Sequence, residues 1–244
     1  FFFLDVFLFG LVWQKKVESK TPLNSSINVI DQMKQDGITL PSLPSTDETA
    51  PIIQLTPVSI GPGLNNLQNQ SVTLEKNVIT AELLPPIQLG LSTPINEESF
   101  NALTNFINNK VLFGDKYVWS SYNATTRKVI YAQKADKLSI MDGTSQIIVT
   151  LNANDQAVSY EQTYAGNVQV LGNKRSLITA QSAVEVLFLA GKIPAKSIVS
   201  TVKLSYFQSL VLKEFSIYSP AWYVEIRQAD GQLVARRVDA IHGT

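Results

Sequence analysis

The chain has 244 residues, of which 45% are apolar, and its 20 basic side chains balance its 20 acidic ones. That length holds one large domain or two small ones with a real core, and a neutral chain lacks the basic surface that nucleic acid needs in a partner. With no cysteine, disulfides, thiol nucleophiles and cysteine metal sites are excluded.

The first stretch, FFFLDVFLFGLVW, is apolar except for Asp5 and Gly10, and Gln14, Lys15 and Lys16 follow it. A membrane-spanning helix needs about 20 apolar residues. This run has 13 and opens on Phe1. Residues 1–14 are therefore expected to be a truncated transmembrane helix, with Trp13 and the two lysines as an interfacial anchor. A signal peptide competes, but the small-residue cleavage site is missing after Trp13. Asp5 is the one polar choice that burial does not explain. A carboxylate inside a membrane helix is costly and faces a partner or the interface, so Asp5 and Gly10 are the candidate partner-contact residues.

Residues 15–95 read as a polar stalk followed by a Pro-rich α+β segment. Nine of the eleven prolines fall at or before Pro94. Ser25 or Ser26 can cap a short helix that carries Ile27, Ile30 and Met33 and stops at Gly37. Residues 38–51 read as extended chain. Residues 52–60 form a strand interrupted by Pro57, and residues 71–84 form two strands around Glu75, Lys76 and Asn77.

Residues 96–244 are more regular and read as one α+β domain. Asn96 caps a helix with Phe100, Leu103, Ile107 and Val111 on one face, ended by Gly114-Asp115. Strands follow in KYVWSSY, RKVIYAQ, KLSIM, SQIIVTLN and AVSYEQTYA. The turns lie at Asn123–Thr126, Asp142-Gly143 and Asn152–Asp155, with Asp142-Gly143 carrying the hairpin signal. Thr179 then caps a second helix that ends at Gly191. SIVSTVKLSYF, an uncertain segment near LVLKEFSIY, AWYVEIRQ and LVARRVDAI supply the last strands. Alternation puts Trp222, Val224 and Ile226 on one face, and Tyr223, Glu225 and Arg227 on the other, with Asp230-Gly231 as the turn. One face packs on a helix and the other meets solvent or a partner. The expected fold class is α+β: helices packed on twisted antiparallel sheets, in two helix-then-strands units over 96–165 and 179–242.

No catalytic set assembles from the sequence. His242, the only histidine, lacks a nucleophile and an orienting group. Ser200 and Lys203 match the spacing of serine–lysine acyltransferases, but they sit on a strand, where residues three apart face opposite ways. Glu97 and Glu98 occupy the first turn of a helix, where the macrodipole favours carboxylates. Asn152, Asn154 and Asp155 could touch calcium, but no glutamate follows at the required spacing, and a polar turn explains them. No cofactor or metal site is expected. Residues 101–244 carry fifteen basic and ten acidic side chains, a mild excess that suits a solvated face.

Three stretches carry a family resemblance: the anchor FFFLDVFLFGLV, the run QSAVEVLFLAGKIP with the strand SIVSTVKLSYF behind it, and the ending YSPAWYVEIRQADGQLVARRVDAIHG. In them the chain resembles the YycI proteins of Firmicutes, which are related to YycH. The ending is also similar to PepSY-like domains. The resemblance implies a single-pass cell-membrane protein whose domain lies outside the cytoplasm. It would be a non-enzymatic regulator of an essential sensor histidine kinase that governs cell-wall metabolism, acting with a YycH-like partner. The family's membrane helix is implicated in the kinase contact, which carries that role onto residues 1–13. Asp5 stands where asparagine is commoner. The alternative is a PepSY-like extracytoplasmic module that binds a peptidase or a cell-wall ligand.

Overall fold

The computed structural model describes residues 26–44, 48–91 and 93–244. The expected membrane helix, with Asp5 and Gly10, and the expected stalk over residues 15–24 lie outside these. No helix among the described residues is long and apolar enough to cross a membrane. In chain order the elements are α1 (Ser26–Gln35), β1 (Thr49–Thr56), β2 (Gln70–Glu75), β3 (Val78–Gln88), α2 (Asn101–Lys110), β4 (Tyr117–Asn123), β5 (Lys128–Ala135), β6 (Leu138–Ser139), β7 (Gln146–Leu151), β8 (Gln156–Gln162), β9 (Asn167–Ser176), α3 (Ala180–Leu189), β10 (Ile198–Val211), β11 (Ser216–Arg227) and β12 (Leu233–Asp239). The fold is α+β and dominated by antiparallel sheet.

One sheet has seven strands in the order β2-β3-β8-β7-β5-β4, with the short β6 paired to the end of β5. Helix α2 covers one face. Its entry is set by Asn96, whose side chain accepts the Ser99 N–H while Ser99 Oγ accepts the Asn96 N–H. One 3-10 turn, Glu97–Phe100, precedes the α-helix. Phe100, Leu103, Ile107 and Val111 are all buried, as their spacing predicts, against Ile79, Ala81, Val129, Tyr131, Ile147 and Val149. The helix ends at Lys110, ahead of the Gly114-Asp115 stop.

The other sheet runs β10-β11-β1-β9, with β12 also paired to β11. Helices α1 and α3 cover its inner face, where Met33, Val29, Ala183, Val184 and Leu187 meet Trp222, Val224 and Ile226. Gly37, at φ +73°, ends α1 in the left-handed conformation. There the Ile38 N–H reaches the Met33 carbonyl and the Gly37 N–H reaches that of Lys34. Strand β11 has two partners along one edge: residues 216–218 pair with β1 and residues 221–227 with β12. Pro220 stands at the changeover. Its carbonyl accepts the Ala240 N–H, so its missing amide falls in the gap between partners, where it costs no ladder bond.

The sheets are joined into one body. Ile140 bridges Tyr206 in parallel, and the Met141 N–H donates to the Tyr206 carbonyl at 3.2 Å. Ile53, Leu55, Ala135, Ile140, Tyr206 and Tyr218 bury a shared cluster at the joint. The Tyr206 hydroxyl donates to the Pro51 carbonyl at 3.0 Å. The Tyr218 hydroxyl lies 2.9 Å from Thr144 Oγ1.

Four features differ from the sequence reading. Asp142-Gly143 does not make a hairpin. Asp142 Oδ1 accepts from Thr144, Oδ2 accepts the Gln208 N–H at 2.6 Å, and the segment serves the joint. KLSIM contributes only the two residues of β6, because Ile140 and Met141 leave to meet β10. The uncertain segment near 210–218 is the end of β10, a turn, and the start of a β11 that runs unbroken through Trp222. Strand β9 carries no strand signal in the sequence; it is a mostly exposed edge strand without clean alternation. In addition, strands from before residue 95 pair with strands beyond it: β1 with β11 and β9, and β3, which carries β2 on its other side, with β8. Each helix-then-strands unit therefore completes its sheet with strands from the Pro-rich segment.

Candidate functional site

Alternation gives each sheet an inner face on its helices and an outer face turned to the other sheet. The outer faces bound a groove of about 630 Å³. From the seven-stranded sheet come Ile130 and Ala132 of β5 and Gln146 of β7. From the five-stranded sheet come Thr201 and Lys203 of β10 and Tyr223 and Glu225 of β11. The register sets Thr201 opposite Glu225 and Lys203 opposite Tyr223. Ile140 and Met141 close one end at the joint, and Trp119–Tyr122 of β4 form the far wall. The lining mixes apolar, aromatic and charged side chains.

The electrostatics are local. Burial, reinforced by the Glu225 carboxylate, pushes the Tyr223 hydroxyl up to about 12, so it is a neutral donor at physiological pH. Ser200 Oγ donates to Glu225 Oε1 at 2.7 Å. Ser200 is the extra residue of a bulge between Val199 and Thr201, and its hydroxyl is committed to Glu225, not to Lys203.

The other sequence candidates do not converge here. His242 is exposed, with Nδ1 3.4 Å from Asp239 Oδ1. Asp239 meanwhile accepts the backbone N–H groups of Ile241 and His242 and ties down the C-terminal turn. Glu97 and Glu98 stand in the first turn ahead of α2. Asn152 Oδ1 accepts the N–H groups of Asn154 and Gln156, and Asp155 pairs with Arg127 at 2.7 Å. The loop is thus a self-satisfied polar turn. Among the described residues, no three His, Cys, Asp or Glu side chains cluster to hold a metal.

Trp222 is a core residue, as its alternation predicts, and Tyr218 is buried at the joint. Trp222 Nε1 donates to the Ile178 carbonyl at 2.8 Å and so ties β11 to the entry of α3. Alternation puts Tyr223 and Glu225 on the face that meets solvent or a partner, and that face lines the groove. Sequence reasoning missed the β4 wall, because a bulge between Trp119 and Ser121 breaks its alternation.

Fold and groove together define an α+β, sheet-dominated protein with a groove between two antiparallel sheets. Within that class the chain belongs to the YycI family: the family described as YycI protein matches residues 17–241. Membership makes it a regulator of the YycH/YycI type, acting in a two-component system. No curated protein matches. Among solved structures the chain is similar to an uncharacterized protein from Eubacterium rectale ATCC 33656, at 10% identity and a TM-score of 0.51. That likeness covers 91% of this chain and 99% of the other, and it speaks to the fold alone.

Proposed function

We propose that the protein is a membrane-anchored, non-enzymatic extracytoplasmic regulator of an essential sensor histidine kinase controlling cell-wall metabolism, acting with a YycH-like partner. The observation that carries this is the family match over residues 17–241, nearly the whole chain. Residues 1–14 form the anchor, and Asp5 and Gly10 make the helix contact with the kinase. The groove and the rest of residues 96–244 lie outside the cytoplasm. The test is crosslinking and affinity purification of the full-length protein from its native host, with mass spectrometry of what is recovered. A sensor kinase should co-purify and should be lost when residues 1–13 are replaced by an unrelated apolar helix. Recovery of the kinase after that swap removes Asp5 and Gly10 from the contact. No kinase in either sample refutes the proposal.

One observation, the groove, favours a second reading: a module that binds a peptidase or a cell-wall ligand. In that case the outer domain alone retains its partner.

A further inference from the structure

Strand β4 is an edge strand, paired to β5 on one side only. It lines the groove with four consecutive residues, Trp119 to Tyr122, whereas β10 and β11 each contribute alternate ones. Alternate residues mark a strand seen face-on. The bulge at Ser120 accounts for part of that run, and Trp119 and Tyr122 lie at its two ends on a strand whose other edge is free. Trp119 and Tyr122 turn to the helix side, where their rings lie 6.3 and 5.3 Å from that of Phe100.

The register then sets the direction of the main chain. Gln133 of β5 donates its N–H to Ser145 and accepts from Ile140, both on the side away from β4. Its opposite number Tyr117 therefore points its own amide and carbonyl outward. By alternation Trp119, opposite Tyr131, does the same. The bulge at Ser120 restarts the count, so Ser121 bonds inward to Ile130 and Tyr122 points outward. The groove charges are also unequal. Glu225 already holds the Ser200 hydroxyl. Among the described residues, no carboxylate lies within ion-pair distance of Lys203.

We propose that the groove takes an extended peptide segment of a protein partner, added as a further strand on the free edge of β4, with an acidic side chain set against Lys203. Main-chain bonds to Trp119 and Tyr122 hold it, and its alternate side chains enter the groove beside Ile130 and Met141. This goes beyond the regulatory role and does not rest on the kinase being the partner.

The test uses the full-length protein in detergent and two capped synthetic peptides, one alternating valine with glutamate and one alternating valine with lysine. Exposed charge contacts change affinity by roughly threefold each, so exchanging attraction for repulsion at Lys203 separates the two peptides by about tenfold. The glutamate peptide should bind more tightly, and Lys203→Glu should reverse the order. N-methylation of alternate peptide amides should abolish binding. Hydrogen exchange should slow at Trp119 and Tyr122. Binding of neither peptide overturns the proposal, as does binding indifferent to N-methylation, or protection confined to β9 or β2. Protection of the same amides without peptide, accompanied by dimerisation, shows that a second copy of this chain is the occupant and also overturns it.

Discussion

Replacing Trp222 by phenylalanine isolates the polar anchor that ties the inner face of β11 to α3. The indole is 1% exposed and its N–H is the donor to the Ile178 carbonyl. Phenylalanine keeps most of the apolar contact but orphans that carbonyl, which costs about 1–3 kcal/mol when buried. The lost ring volume is roughly 40 Å³, which adds about 1 kcal/mol at the usual cavity coefficient. The expected loss is about 2–4 kcal/mol, a large share of a typical domain stability of about 5–15 kcal/mol. Urea unfolding followed by far-ultraviolet circular dichroism reads it as a lower midpoint at unchanged slope. Tyr223→Phe, one residue along but facing the groove, serves as control and should cost less than about 1 kcal/mol. A loss below 1 kcal/mol for Trp222→Phe would refute the view that this indole fixes the entry of α3.

Gly166→Ala should be among the most damaging single changes. Its φ is +111°, and an added Cβ would sit 2.0 Å from the Thr56 carbonyl, so strand β1 must shift; a fall in melting temperature of several degrees or a failure to fold is expected. Asn96→Ala removes the cap ahead of α2 and should cost about 1 kcal/mol by the same urea assay. Burial pushes Tyr131 up to about 12 and Tyr223 likewise, against 10.0 for the free group. Their contribution to stability is complete below pH 10 and is lost as pH rises from about 10 to about 12, because unfolding then releases protons. Tyrosinate absorbance should accordingly show these groups ionising only with loss of structure. His242→Ala should leave signalling in the native host and thermal stability unchanged, since the ring is exposed and Asp239 works through backbone N–H groups.

Local chemistry made much of the chain legible. The helix face of α2, the caps of α2 and α3 at Asn96 and Thr179, and the inward Trp222-Val224-Ile226 face of β11 all follow from periodicity and capping, which depend on near neighbours. The same reasoning failed at β9, whose exposed residues show no alternation. It failed too at Asp142-Gly143, whose turn signal was captured by a distant strand through Gln208.

The sequence alone determined the antiparallel α+β class, the helix positions and the inward face of the closing hairpin, because each rests on contacts a few residues apart. It also carried the family resemblance, through motifs read in order. Only the tertiary structure decided that β1 completes one sheet and β2–β3 the other, that β11 changes partner at Pro220, and that β4 leaves a free edge along a groove. Those features depend on which strands meet across long separations. Burial in the core under α2 and at the joint around Tyr206 and Tyr218 rewards those meetings, and no local pattern encodes them.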